Sequence, residues 1–346
     1  MYPPNQFGYQ FVARTPDPQY LKRIQEESVL RREANRVGLT VLCYYGLMFA
    51  IQMLLVGLIT AWGLMDYSQV SNPYQGIEPL AYYLMYGVCA TISAILPGFL
   101  LIRISQSSIH QMLPFARVGG KKTLGYVAMG LGVCMFANLA GSMLDRNLQW
   151  IGVPSYSPPT PYDGSPLSMI MLVLCICVVP ALMEEFVFRG AVLGSLRKFG
   201  DGVAVLGSAA LFGLIHGNLV QIPFAFVVGL ILGYLVVHTG SMLPGILLHF
   251  ANNLFSCLLV MASEGLQPEA YNILAYASML LLLALGAVGL LYLCKRDPGL
   301  FTVSKTESSL RFSRRLGILA GSPAVIAFIV VVAIMSFITM LGAMLL

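Results

Sequence analysis

Leu167 to Gly190 reads LSMIMLVLCICVVPALMEEFVFRG, an apolar run long enough to cross a bilayer that ends in Glu184, Glu185 and Arg189. An Asp, Lys or Arg at the centre of a membrane helix costs roughly 2.5–3.5 kcal/mol, and such residues mark functional sites by default. The bland alternative is that the helix has reached the interface, where Arg189 snorkels and the glutamates are wet. Two later apolar segments weigh against it, because they carry polar groups at helical spacing: Phe212-x-x-x-His216 and His249-x-x-x-Asn253. Polar groups on three membrane helices imply a shared interior.

The rest of the chain fits this reading. Its 346 residues are 58% hydrophobic and 10% charged, with a mean hydropathy of +0.79, whereas soluble chains are about 25% charged. Nine apolar segments are expected, at 38–62, 80–103, 123–144, 167–190, 203–217, 221–238, 242–262, 271–294 and 317–346. The fold class is therefore all-α, a polytopic transmembrane bundle of 8–9 spans. Residues 1–36 read as a cytoplasmic tail with a surface helix, in which Asp17 is the N-cap and Pro18 the first helical residue. Residues 37–166 and 263–346 hold flanking spans, and 167–262 hold the motif-bearing core.

Charge placement sets the expected orientation. All but one of the Lys and Arg residues lie in or beside 1–36, 103–122, 189–198 and 295–315, and nine alternating spans put these four regions on one side. The positive-inside rule makes that side cytoplasmic, so the chain is expected to be multi-pass in the cell membrane with its N-terminus inside. The net charge of +5 is accounted for by these loops, and no nucleic-acid partner is expected. Counted along the helices, Glu184 and His249 come within about 10 Å of that boundary and His216 about 20 Å in, a mismatch that the sequence leaves open.

The seven cysteines show no zinc-site spacing and read as small buried hydrophobes. Gly229-x-x-x-Gly233 reads as a close-packing signal. No internal repeat is found, which weighs against an inverted-repeat transporter.

Within the motifs, Glu185 and Arg189 share a helix face and should pair, leaving Glu184 about 100° round the helix. A buried, unpaired carboxylate is suited to act as a general base. Pro180 removes a backbone hydrogen bond just before it and is expected to kink the helix. His216 taken alone reads as a core histidine bonded to a carbonyl. His249 and Asn253 share a face and can donate to an oxyanion, with Asn252 the weaker candidate. His110 and His238, at segment ends, are expected to be solvated.

Glu-Glu-x-x-x-Arg, Phe-x-x-x-His and His-x-x-x-Asn, in this order, resemble the motifs of the CPBP intramembrane proteases, also called the CAAX-protease or Abi family. Phe188-Arg189-Gly190 and Gly233-Tyr-Leu-Val-Val-His-Thr-Gly-Ser241 share in the resemblance, which covers 168–262. It implies an endopeptidase in which Glu184 and His216 activate water while His249 and Asn253 stabilise the oxyanion. Glu185 would stand beside them, with Arg189 and Phe212 supporting. No cofactor is required by the resemblance; if zinc were used, Glu184, His216 and His249 would hold it. The expected partners are membrane lipid and a lipidated or leader-type peptide substrate. The rival is a non-catalytic protein of the same fold, such as an immunity or scaffold protein, or an ion-coupled transporter. The tail and last span have no counterpart in the resemblance.

Overall fold

The computed structural model describes residues 17–63, 76–105, 108–153, 164–302 and 307–345; the expected tail at 1–16 lies outside them. The described residues are overwhelmingly helical. The chain runs through α1 (Pro18–Ala61), α2 (Pro79–Ile104), the short α3 (Ile109–Met112) and α4 (Gly120–Trp150). The helical run α5 (Pro166–Phe199) follows, then α6 (Asp201–Leu214), α7 (Gln221–Thr239), α8 (Leu243–Gly265) and α9 (Pro268–Arg296). The chain closes with α10 (Phe312–Ala320) and α11 (Pro323–Leu345). Eight of these helices are long and apolar enough to cross a membrane, and α6 is a shorter apolar helix. The chain is a multi-pass membrane protein.

Proline sets many of the helix starts. Pro18, Pro79, Pro166, Pro244 and Pro268 stand in first turns, where the missing N–H is no loss. Asp17, Glu78 and Ser165 cap the first three of these helices by accepting backbone N–H groups.

Three expected boundaries move. The surface helix and the first span are one continuous 44-residue helix, α1, because nothing between Arg36 and Val41 breaks the backbone. The final segment is two helices, interrupted at Gly321-Ser322 ahead of Pro323. The fourth segment does not stop at Gly190; it continues to Phe199, where Gly200 turns the chain with φ 113°.

That last extension removes the depth mismatch. From Glu184 to the end of α5 is roughly 15 residues, about 22 Å at the α-helical rise, and from the start of α6 to His216 is the same distance back. The hairpin therefore returns His216 to the level of Glu184. The beginning of α8 stands near the last turns of α5, since the chain around Phe115 pairs with Ser241 and Met112 packs on Gly194.

Around α5 the packing is tight. Phe186 lies so close to Gly98 of α2 that a Cβ there would come within 2.7 Å of its ring. In the glycine pair of α7, Gly229 meets Ala209 and Gly233 meets Leu193 and Val205. A continuous apolar core joins α1, α5, α6 and α11 through Val37, Tyr44, Phe188, Phe212 and Phe328.

Candidate functional site

The middle of α5 is not a plain α-helix. Val173–Val178 and Glu185–Val192 wind as π-helix on either side of an α turn at Val179–Glu184. Pro180 has no N–H to offer the Ile176 carbonyl four residues earlier, so regular winding is interrupted where the sequence leads one to expect it. Wide turns of this kind recur at functional sites.

The second π stretch begins with Glu185 and contains Arg189, both buried. Arg189 Nη1 lies 3.1 Å from Glu185 Oε1, Nη2 donates to the Gly229 carbonyl at 3.3 Å, and the guanidinium stacks on the Phe212 ring, 4.2 Å from its centroid. The absence of a side chain at Gly229 lets α6 and α7 come together at that carbonyl. Phe212 also meets His216 and His249 edge-on. It is the apolar wall that the cationic and imidazole groups share.

His249 bridges the two glutamates. Its Nδ1 is 2.9 Å from Glu185 Oε1, and its Nε2 is 3.7 Å from Glu184 Oε2. Because a carboxylate can only accept, Nδ1 carries a proton and the ring is held in one orientation. The 3.7 Å gap exceeds a direct hydrogen bond. Glu184 keeps 15% of its side chain exposed, against 1% for Glu185. It stands electrostatically close to His216, Tyr44 and Tyr86.

His216 lies just beyond the last residue of α6, in the turn that leads to Gly217, rather than within the helix. Its Nδ1 meets the Phe212 carbonyl at 2.9 Å, the contact expected of a core histidine. That bond gives Nδ1 the proton and leaves Nε2 as the nitrogen available to accept another.

Asn253 is placed differently from the sequence expectation. Its amide donates at 3.1 Å to the Ile176 carbonyl, the group that Pro180 leaves without an α-helical donor, so one of its two hydrogens braces α8 against α5. Asn252, the weaker candidate, is buried; its amide donates to Asn253 Oδ1 at 3.4 Å, and its own Oδ1 has no hydrogen-bond partner among the described residues. Glu185 Oε2 and Arg189 Nε are also buried without hydrogen-bond partners. Unpaired buried polar atoms are rare enough that such a cluster calls for water or a ligand.

Tyr44 and Tyr86 were not among the expected site residues. They come from α1 and α2, far from the motifs, and spacing within 167–262 carries no sign of them. Among the described residues no group of three or more His, Cys, Asp or Glu side chains is placed to hold a metal ion. Glu184, His216 and His249 are not gathered into such a group. Cys175 and Cys177 are both buried, and Cys177 Sγ lies 3.2 Å from Cys257 Sγ; both thiols are free.

The expectation for His238 is corrected. Rather than being solvated, it is 11% exposed and its Nε2 bonds Asp297 Oδ2 at 2.6 Å, a carboxylate that also accepts from Tyr126. Asp297 lies just past α9, which brings an acceptor to the histidine from a distant part of the chain. His110 is exposed, as its position predicts.

The fold and the buried cluster thus define a multi-pass helical membrane protein whose carboxylates and histidines meet in its interior. Residues 166–255 match the family model described as type II CAAX prenyl endopeptidase Rce1-like. That stretch is an Rce1-like domain of the CAAX-protease family. No curated protein and no solved structure matches the chain.

Proposed function

We propose that the protein is an intramembrane endopeptidase that hydrolyses a peptide bond of a lipidated or leader-type membrane peptide near the cytoplasmic face. In this reading its N-terminus is cytoplasmic. The carrying observation is the relay from Arg189 through Glu185 to His249, whose free nitrogen faces Glu184 across 3.7 Å. Glu184 is the one glutamate of the pair with some exposure, and water has to reach the base.

In the proposed reaction, a water between Glu184 and His249 attacks the scissile carbonyl carbon. Its proton passes to Glu184, and the carbonyl π electrons move to oxygen. His249, oriented by Glu185 through Nδ1–H and carrying a second proton on Nε2 in this step, donates from Nε2 to that oxyanion, and the second amide hydrogen of Asn253 supports it. Collapse breaks the C–N bond, and the proton held on Glu184 goes to the departing amine. His216 Nε2 assists at the first proton transfer. Phe212 and Arg189 hold the histidine and the inner glutamate in place and do not touch the substrate.

The test is Glu184→Ala in the full chain, assayed on a membrane-anchored peptide reporter alongside thermal unfolding. Cleavage is expected to vanish while the unfolding midpoint stays near wild type; undiminished cleavage ends the assignment. A metal-free reaction further requires that activity survive exhaustive chelation, and loss of activity restored by added zinc would replace the glutamate mechanism.

A further inference from the structure

A second polar assembly lies away from the site, where the first turns of α1 meet the start of α10. Arg314 forms a two-pronged bond with Glu27, both contacts at 2.9 Å, while Glu26 accepts from the Ser309 N–H at 2.9 Å and from Ser308. Above these contacts is an open cavity of about 560 Å³, whose lining includes Arg23, Arg311, Arg314, Ser309, Ser313 and Glu27.

Its charge is unbalanced. Three guanidinium groups face one carboxylate, and Glu27 is already committed to Arg314, with Arg31 at 3.6 Å on its other side. Arg23 and Arg311 form no ion pair among the described residues. The N-terminus of α10 adds to the imbalance: its N-cap is Arg311, no side chain caps it, and no acid stands in its first turn. The first-turn N–H groups and the positive end of the helix dipole are thus open beside two unpaired arginines and the Ser313 hydroxyl, that of Ser309 being donated to Glu26.

We propose that this cavity is a binding site for a phosphate ester or pyrophosphate group. Guanidinium forks match the oxygens of a tetrahedral dianion in pairs, and uncapped helical N–H groups and the Ser313 hydroxyl supply further donors. The volume exceeds that of a bare phosphate and falls in the range of small-molecule sites. The group can arrive on a lipid headgroup or on a soluble organic phosphate. Both present the same chemistry to the arginines.

The test uses the purified full chain in neutral detergent, following the thermal unfolding midpoint at constant ionic strength set with sodium chloride. One arm titrates pyrophosphate; the other titrates phosphatidic acid into the micelles, with phosphatidylcholine as the control lipid. The wild type is expected to show a saturable rise in midpoint. The Arg23→Ala/Arg311→Ala double variant should need at least tenfold more ligand, and Arg146→Ala, an exposed arginine elsewhere, should respond as wild type. Response to pyrophosphate alone assigns a soluble phosphate, response to phosphatidic acid alone assigns a headgroup, and response to both assigns the shared phosphate. If neither ligand exceeds chloride or phosphatidylcholine, or if the double variant responds as wild type, the proposal is overturned. None of these readouts depends on peptidase activity.

Discussion

Two buried carboxylates of this protein live in opposite circumstances. Glu33 of α1, 1% exposed, spends one oxygen on the Ser105 hydroxyl at 2.6 Å and the other on Lys198 and Arg36 at 3.1 and 3.2 Å. It ties α1, α2 and the end of α5 together with both oxygens occupied. Glu185 is as deeply buried, yet it pairs through one oxygen only, and its neighbours Arg189 and Asn252 also carry unpartnered atoms. A saturated cluster is a clamp. One left short of partners in a low-dielectric interior is costly unless something else completes it, and in the proposed reaction that role falls to water and substrate.

The contrast can be broken or sharpened by substitution. The largest effect is expected at Glu184, where replacement by alanine reduces cleavage by about a thousandfold or more, within the range assigned to general bases. Arg189→Ala comes next: it leaves Glu185 as a buried charge without its cation, and a loss of about 3–5 kcal/mol in unfolding free energy is expected. Glu33→Ala should cost less, about 1–3 kcal/mol in denaturant titration, because Lys198 and Arg36 are partly exposed and can turn to water. The folded fraction should still cleave normally; if Glu33→Ala instead removes activity without loss of stability, clamp and site are not separate.

The smallest effect is expected at Asp297. Burial pushes its carboxyl upward, but hydrogen bonds from Tyr126 and His238, with the charges of His238 and Lys122, hold it below the ordinary aspartate range. A lowered folded value means that its stabilisation is present above the unfolded aspartate value and fades as pH falls through the folded one. Asp297→Asn should therefore lower stability by about 0.5–1 kcal/mol at neutral pH, and the difference from wild type should shrink in acid.

Much of this was legible in the sequence. The membrane class follows from uninterrupted apolar runs, and the pairing of Glu185 with Arg189 follows from a spacing of four. The site was harder to read where partners come from elsewhere in the chain. Asn253 looked free because the sequence does not show that α8 packs beside Ile176, whose carbonyl Pro180 leaves open. His238 looked solvated because Asp297 is 59 residues away. Tyr44 and Tyr86 were silent, since single tyrosines in apolar helices are ordinary. Glu33 looked like one more charge on a surface helix, although it lies beside Leu30, Ala34, Val37 and Val41, which form an apolar stripe at helical spacing.

The π winding at Glu185–Val192 has a consequence for how this chain tolerates change. A π turn holds about one residue more than an α turn, so removing one residue between Glu185 and Arg189 would let the backbone relax to ordinary α geometry with the helix beyond Val192 close to its original phase. What changes is local: acid and base would stand three apart instead of four, and the guanidinium would lose its place over the Phe212 ring. A one-residue deletion here is thus expected to spare the downstream packing and to strike the buried pair itself.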